Sequence, residues 1–409
     1  GIAVFYSLPS ALSSQLEVSN QFIQAQAAHE TWTQLTYEIG RDFRYLTSGM
    51  LQREALSNAE FRVLLLPMTQ ALSPDEAAAV RRFAENGGTV IADVRPGMFD
   101  AHCKPVTPGL LDDLFGVRRT GRGKAVESPI KLKLTLQGRA LDVAFEKARL
   151  DAHVEAAAGQ ALASANNVPA MIVNTVGKGR AILLNFQMAI GAPEDATATA
   201  ARKLLQFLYD VAEARSAIAV ASPNGEPLPT TETRVWRNGD ALVFGLWRQM
   251  RNAWFSPKKD TVAGEPAPAR VALSAPRHVY DLRGRKHLGR VDRVDTRLRW
   301  GRASFFLAAP YQIGPLKVAL SSPRAGEAVT ASITLGIPAG AKERYAVWVE
   351  VTDPLGQRPL WGRQVVLLEQ GRGQVQFPVA HNDAPGAWRL TATELFSSQS
   401  AAASWTVKP

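Results

Sequence analysis

SPDEAAAVRRFAENGGTVIADV (Ser73–Val94) predicts a helix followed by a buried strand. Ser73 suits the N-cap position, and Pro74 suits the first helical position. Glu76 completes a capping box, because its carboxylate can accept a hydrogen bond from the backbone amide of the N-cap residue. Gly87 is typical of the residue that ends a helix. TVIADV is apolar almost throughout, which indicates a strand that is covered on both faces.

Similar units flank this stretch. Ile2–Tyr6, Phe43–Leu46 and Phe61–Pro67 have the composition of strands, and TPGLLDDLFGV repeats the helix pattern as far as Gly116. VPAMIVNTVGKGRAILLNF predicts a hairpin that turns at Gly177. Alternating strands and helices predict a mostly parallel, doubly wound sheet. After the first strand, a long helix is predicted because apolar residues recur at helical spacing: Leu12, Leu16, Phe22, Ile23 and Ala27.

The composition changes in the second half of the chain. Eight of the nine tryptophans follow residue 235, and helical periodicity gives way to short alternating runs. We predict a small β-sandwich domain over 213–313 and an immunoglobulin-like β-sandwich over 314–409, after an α/β domain over 1–212. SPNGEPLP (222–229) and YQIGP (311–315) are the predicted connections.

Composition limits the class of protein. The 409 residues are 46% hydrophobic and 21% charged, as in ordinary globular proteins. No apolar run is long enough for a membrane span. The single cysteine cannot form an internal disulfide, which fits a reducing compartment and also a periplasmic protein without disulfides. GIAVFY starts directly as a strand, so we expect that a longer protein precedes Gly1.

The net charge of +10 raises the question of a nucleic-acid partner. The densest basic stretch, Arg277–Arg302, holds nine Lys or Arg against three Asp. Such charges on alternating strands usually form a solvated face, and no nucleic-acid-binding motif accompanies them. Binding to nucleic acid is therefore not predicted.

One family resembles the first 212 residues. The order of YSLPS, LLLP, LSPDEAAAVRRFAENGGTVIADV, GLLDDLFGV and VNTVGKGRAILLNF resembles the glutamine-amidotransferase-like domain of family 42 β-galactosidases, called the trimerisation domain. The resemblance implies an α/β flavodoxin-like fold of the class I glutamine amidotransferase type, followed here by the two all-β sandwich domains. It also implies that the glycosidase glutamates lie in a barrel outside this chain.

Active amidotransferases of the resembling superfamily carry a nucleophilic cysteine at the turn after the strand that corresponds to TVIADV. Asp93, Val94 and Arg95 occupy that turn here, and none can form a thiolate. Cys103 is displaced into the following loop beside His102, a basic setting that could lower its pKa. We predict an incidental loop thiol, with Cys103 and His102 as the weak catalytic alternative.

Other constellations give no further site. The six histidines have no metal-ligand spacing, so no metal and no cofactor are predicted. The later domains resemble β-sandwich modules of large bacterial glycosidases and macroglobulin-type domains. Exposed tryptophans in such modules could stack on sugar rings, and the candidates for carbohydrate contact are Trp236, Trp247 and Trp254.

The predicted function is a non-catalytic accessory region of a bacterial β-galactosidase-like protein. An extracytoplasmic location, periplasmic or secreted, is favoured, and a cytoplasmic one stays open. Its partners are other copies of the chain or a preceding catalytic domain, and carbohydrate is a further possible ligand. The alternatives are an amidotransferase-like enzyme that uses Cys103 and a cell-envelope binding protein. An exposed apolar patch on the strand-end loops is the predicted interface for assembly: Leu8, Pro9, Met68, Met98 and Phe99.

Overall fold

The computed structural model describes residues 1–16, 22–53, 55–188, 196–248, 265–322 and 326–408. The chain divides into two compact units, Gly1–Glu232 (unit 1) and Thr233–Pro409 (unit 2). Strands predominate over helices in both, so the protein is mostly β. The boundaries predicted at 212/213 and 313/314 concern domains that fold independently, and they stay predictions.

Unit 1 holds the helices and most of the parallel strands. Its elements in chain order are β1 (Ile2–Tyr6), α1 (Leu8–Leu16), α2 (Ala25–Glu38), β2 (Phe43–Thr47), α3 (Ser48–Gln52), β3 (Val63–Leu66), α4 (Pro74–Glu85), β4 (Thr89–Ala92), α5 (Asp112–Phe115), β5 (Val117–Arg119), β6 (Val126–Leu136), β7 (Arg139–Leu150), β8 (Val154–Ala156), β9 (Gln160–Ala165), β10 (Val168–Val176), β11 (Gly179–Leu184), β12 (Phe186–Met188), α6 (Ala196–Val211) and β13 (Ile218–Ala221).

A seven-stranded sheet organises unit 1, in the order β2-β1-β3-β4-β11-β10-β9. The first five of these strands are parallel, and β10 pairs antiparallel with both β11 and β9. The prediction of a mostly parallel sheet is confirmed for this part of the chain. The predicted hairpin at Gly177 is confirmed as well, since β10 and β11 pair from Val176 and Gly179 onward.

The sheet has a hydrophobic core on each face. In β1, Ile2 and Val4 contribute to one core and Ala3 and Phe5 to the other, because successive side chains of a strand point to opposite faces. Side chains of α2, α6, β6 and β7 cover the first face, whereas α4 and α5 cover the second. Strands buried on both faces explain why this half of the sequence contains continuous apolar runs.

The helix α4 begins as predicted. The Ser73 hydroxyl accepts a hydrogen bond from the Glu76 amide at 3.2 Å, and the Glu76 carboxylate accepts one from the Ser73 amide at 2.7 Å. This reciprocal capping box satisfies two backbone donors that the helix leaves without partners. The helix then buries Val80 and Phe83 against β3 and β4.

Two other helix predictions need correction. The long helix expected after β1 is two helices, α1 and α2, and α1 buries Ser10, Ser13 and Ser14 in place of its leucines. The helix expected from Thr107 to Gly116 covers only the single turn of α5. The Asp112 carboxylate accepts a hydrogen bond from the Gly109 amide at 2.7 Å, so the preceding residues form a capped loop.

Unit 2 consists of antiparallel sheets. Its strands are β14 (Thr231–Asn238), which begins at the end of unit 1, β15 (Ala241–Arg248), β16 (Ala267–Asp281), β17 (Lys286–Leu298), β18 (Ser304–Ala309), β19 (Leu316–Leu320), β20 (Ala328–Leu335), β21 (Tyr345–Thr352), β22 (Arg363–Leu368), β23 (Arg372–Pro378), β24 (Gly386–Glu394) and β25 (Ser400–Val407), with a 3₁₀ turn at Leu360–Gly362.

Three groups of strands build unit 2. β14, β15, β18 and β16 lie side by side in that order, with β17 on β16. A three-stranded sheet, β19-β20-β23, packs on a four-stranded one, β22-β21-β24-β25. In β20, the buried residues Val329, Ala331 and Ile333 alternate with more exposed polar residues. This is the pattern of a sandwich strand with one face towards solvent.

A hydrogen-bond network joins the β15 sheet to the sandwich within unit 2. The buried Glu343 carboxylate accepts bonds from the Tyr311 hydroxyl at 2.7 Å and from the Asp240 amide at 2.9 Å. The amide of Ile313 donates to the Tyr280 hydroxyl at 2.8 Å. The described core of unit 2 therefore continues across the predicted boundary at 313/314.

The capping box of α4 gives a direct test of the local energetics. Replacing Ser73 with Ala removes the side-chain acceptor, and we expect unit 1 to lose about 1 kcal/mol of stability. Urea denaturation followed by fluorescence measures this loss. The matched control is Ser164→Ala on exposed β9, which should change stability by less than about 0.5 kcal/mol. Equal effects of the two substitutions would contradict the capping role.

Candidate functional site

The carboxyl ends of β1, β3 and β4 lie side by side, and ligands of parallel α/β sheets bind at this edge. Ser7 follows β1, Met68 follows β3 after one residue, and Asp93 directly follows β4. All three are buried. The side chains that surround these three residues therefore determine whether a ligand can bind at this edge.

Arg95 stands at the turn where the resemblance places a nucleophile in active enzymes. Its φ is +61°, and only 1% of its surface is exposed. The guanidinium donates to Asp151 Oδ2 at 2.9 Å and stacks on the Phe22 ring at 4.5 Å from the ring centroid. It also bonds to the Gly123 carbonyl. At this turn the guanidinium of Arg95 is thus buried inside the protein and paired with a carboxylate.

Asp151 belongs to a chain of buried charges at this edge. Arg119 Nη1 lies 3.6 Å from Asp151 Oδ2, and Arg119 Nε donates to Asp112 Oδ1 at 2.8 Å. The Asn185 side chain donates to the Asp151 carbonyl at 2.9 Å. Removing one member of such a network leaves a buried charge without its partner, which is costly. The network holds α5, β5 and the loop before β8 in place.

Asp93 is the most perturbed acid of the edge. Burial raises its pKa from 3.8 to about 7, although hydrogen bonds from the Met68 amide, at 2.5 Å, and from the Trp32 side chain act in the opposite direction. A carboxyl with such a pKa is a candidate for acid–base chemistry. Here it is only 2% exposed, and its contacts tie β4 to the loop after β3 and to α2.

Serine side chains fill the space between α1 and the loop after β3. The hydroxyls of Ser7 and Ser10 donate to the Ala71 carbonyl at 2.8 and 3.0 Å. Ser13 accepts from the Gln70 side chain at 2.8 Å. These bonds tie α1 to the loop after β3 at this edge.

This serine face was missed by the sequence analysis. Ser10, Ser13 and Ser14 have the i, i+3, i+4 spacing of one helix face. The spacing was visible in the sequence. Such spacing of serines does not by itself predict burial, because a buried helix face is normally recognised by apolar residues.

Cys103 lies away from the turn after β4. It is half-buried at φ +60°, and its thiol donates to the Pro9 carbonyl at 3.4 Å. His102 is exposed, and its amide bonds to the Asp100 carboxylate together with that of Lys104. The thiol is thus engaged with the first turn of α1. The incidental loop thiol stays a prediction, and so does its weak alternative, catalysis by Cys103 with His102.

The predicted exposed patch is wrong for three of its five residues. Met68, Met98 and Phe99 are at most 4% exposed. Met98 and Phe99 pack on Ala71, where backbone bonds of Phe99 join the loops after β3 and β4. Leu8 is 56% exposed and Pro9 is half-buried. An interface role is open for these two only.

The tryptophan candidates lie in unit 2. Trp236 on β14 and Trp247 on β15 are 48% and 40% exposed. Trp254 lies outside the described residues. Carbohydrate contact by the first two stays a prediction.

A cavity of about 840 Å³ lies elsewhere in unit 1, beside α6 and β7. Two of its four lining cations are paired: Arg41 with Asp210 at 3.3 Å, and Arg202 with the buried Glu38 at 2.7 Å. Across the described ranges, no three His, Cys, Asp or Glu side chains are placed to hold a metal ion. In those same ranges no helix has the length and hydropathy of a membrane span.

The pKa of Asp93 predicts how stability depends on pH. Between its unfolded and folded values, from 3.8 to about 7, the folded protein holds a proton that the unfolded chain has lost. The stability of the wild type relative to Asp93→Asn should therefore fall as pH rises through this range and level off above it. From about pH 5 to about pH 8 we expect a relative loss on the order of 2 kcal/mol by urea denaturation.

Asp113→Asn is the control for this measurement. Partial burial raises the pKa of Asp113, but the hydrogen bond and charge of Arg81 outweigh burial and lower it overall. Its contribution is constant between about pH 5 and pH 8, because the carboxyl is ionised in both states. Parallel stability curves for the wild type and Asp93→Asn would refute the assignment.

Comparison with known proteins gives one family match. Residues 17–213 match the family model described as the β-galactosidase trimerisation domain. No curated protein matches the chain significantly.

Solved structures of β-galactosidases share the fold. The enzyme from Bacillus circulans sp. alkalophilus is 14% identical, with a TM-score of 0.56 over 75% of this chain and 41% of that one. A catalytic mutant of Gan42B, a GH42 β-galactosidase from G. stearothermophilus, is 15% identical, with a TM-score of 0.51 over 75% and 40%. The cold-adapted β-galactosidase from Rahnella sp. R3 is 13% identical, with a TM-score of 0.50 over 74% and 40%.

The present chain thus spans about two fifths of the length of each of these structures. The resemblance of the first 212 residues to the trimerisation domain of family 42 β-galactosidases is confirmed by this match over residues 17–213.

Proposed function

We propose that this chain is the non-catalytic assembly region of a bacterial β-galactosidase-like glycoside hydrolase, in which unit 1 brings copies of the protein together. The match of residues 17–213 to a trimerisation domain supports this role. So do the contacts at the strand edge of unit 1, where Arg95 pairs with Asp151 and the serines of α1 bond to the loop after β3.

The proposal includes the finer fold assignment. For unit 1 it is a flavodoxin-like domain of the class I glutamine amidotransferase type, supported by five parallel strands with helices on both faces. For residues 314–409 it is an immunoglobulin-like sandwich, supported by two packed antiparallel sheets with alternating burial. Spacer modules of this kind suit a large multidomain protein.

The orientation of α1 carries the proposal. Leu8, Leu12 and Leu16 lie at i, i+4 and i+8 on one side of the helix, called the leucine face here, and they are 56%, 56% and 79% exposed. A surface helix normally buries such a stripe. Burying one leucine stabilises a protein by roughly 1.5–3 kcal/mol, so a partner that covers all three gains substantially.

Two exposed tyrosines add to the surface of unit 1 that is available to a partner. Tyr6 and Tyr45 are each 41% exposed, and both contact His29, at ring centroid distances of 5.5 and 6.3 Å. Burial lowers the pKa of His29 to about 4, so the imidazole is neutral at physiological pH. Exposed tyrosine next to aliphatic side chains is typical of protein interfaces.

The alternatives have less support. An amidotransferase-like enzyme would need a base within reach of Cys103, and the thiol bonds to the Pro9 carbonyl instead. A cell-envelope binding protein is compatible with unit 2. No feature of unit 1 favours it over assembly.

Light scattering tests the assembly role. The chain at micromolar concentration should have the mass of an oligomer, and Leu12→Glu with Leu16→Glu should shift it to the monomer, because an interface cannot bury two carboxylates without partners. A dissociation constant raised by at least about a hundredfold is expected.

Leu360→Glu is the matched control, since Leu360 is 81% exposed but lies in unit 2. It should leave the mass unchanged. A wild-type chain that stays monomeric at every concentration would overturn the proposal. An oligomer whose mass does not change when both leucines are replaced by glutamate would overturn it as well.

A further inference from the structure

An aromatic surface on unit 2 is separate from the leucine face. Trp236 on β14 and Phe305 on β18 lie on either side of Gly245 on β15, with ring centroids 6.4 Å apart and planes inclined by 36°. A side chain at Gly245 would come within 2.8 Å of Phe305 and 3.3 Å of Trp236. The glycine therefore allows the two rings to lie together over the strand.

Trp247 extends this surface. It follows Gly245 by two residues, so both are on the same side of β15, about 6.6 Å apart along the strand. The opposite side carries the buried Leu242, Phe244 and Leu246. Trp236, Trp247 and Phe305 are called the aromatic shelf from here on. The two tryptophans are 48% and 40% exposed, an unusual state for side chains of this size.

Arginines lie close to the shelf residues in the chain. Arg234 is on the same side of β14 as Trp236, two residues away. Arg302 is exposed three residues before Phe305, whereas Arg237 is exposed but follows Trp236 directly and therefore points to the other side of β14. Arg248 stacks on Trp300 at 3.9 Å. Guanidinium groups beside aromatic rings bind planar anions such as carboxylates well.

The charge of the whole unit has the same sign. Residues 233–409 contain 25 Lys or Arg and 13 Asp or Glu, a net charge of +12, whereas residues 1–232 contain 22 and 24, a net charge of −2. The two values sum to the +10 of the chain. The excess positive charge is thus confined to the unit that carries the shelf, and it would attract an extended anion.

We propose that the aromatic shelf binds an acidic polysaccharide, a chain of pyranose units that carry carboxylate or sulfate groups. The rings stack on the apolar C–H faces of the sugars, and the arginines pair with the anionic substituents. The choice of a carbohydrate over a single-stranded nucleic acid, which stacks on similar surfaces, rests on the proposed function of the chain. The shelf then keeps the protein on its substrate polymer.

Binding to defined polymers tests this inference. The full chain is titrated with polygalacturonate, a sulfated galactan, a neutral galactan and polyuridylate. We expect binding to one or both acidic polysaccharides, which identifies the carboxylate or the sulfate as the preferred anion. Raising salt from about 50 to about 500 mM should weaken it, because exposed charges are screened.

Two sets of variants assign the binding to the shelf. Trp236→Ala with Trp247→Ala should weaken it by about tenfold or more, and Trp348→Ala, an exposed tryptophan on β21, should not. Arg234→Gln with Arg302→Gln should also weaken binding by about tenfold, whereas Arg237→Gln, on the other side of β14, should not. Arg302 is exposed and Arg234 is not fully buried, so this variant tests the site even where the tryptophan variant is destabilised.

Four outcomes would overturn the inference. They are no binding to either acidic polysaccharide, equal binding to the neutral galactan, tighter binding to polyuridylate that the same variants abolish, and unchanged binding in both variants. Light scattering on the same samples separates this inference from the assembly role. A monomer that binds the polymer contradicts only assembly, and an oligomer that binds none contradicts only the shelf.

Discussion

The buried pair of Arg95 and Asp151 holds the strand-end edge of unit 1 together. A guanidinium that is 1% exposed has lost its hydration, and the carboxylate of Asp151, with Oδ2 2.9 Å away, offsets that cost. Asp151 in turn fixes Arg119, which fixes Asp112 at the start of α5. The cation fills the turn after β4. In other parallel sheets this edge binds ligands, whereas here its buried charged residues connect neighbouring strands, loops and α5.

Local features of the fold and the mostly parallel sheet could be predicted from the sequence, whereas individual long-range contacts could not. The capping box of Ser73 and Glu76 depends on four consecutive residues, so the pattern alone determines it. The short length of α5 depends on the Asp112 carboxylate, which bonds to Gly109 and Arg119 instead of continuing a helix. The burial of Met98 and Phe99 arises from contacts with Ala71, far away in sequence.

The candidate sites divide in the same way. The absence of a thiolate at the turn followed directly from Asp93, Val94 and Arg95, but the raised pKa of Asp93 follows from its burial under Trp32 and Met68. The exposure of Trp236 and Trp247 could be proposed from composition. Their approach to Phe305 over Gly245 depends on strand register, which composition does not specify.

Directional bonds, rather than shape, fix the rotation of α1. Ser10 and Ser13 each hold the helix to the loop after β3, so turning the leucines inward would break both contacts and bury hydroxyls without partners. The leucine face is therefore preorganised, and binding a partner requires no reorientation of the helix. Because leucine burial near room temperature is driven by entropy, an assembly formed through this helix would loosen on cooling.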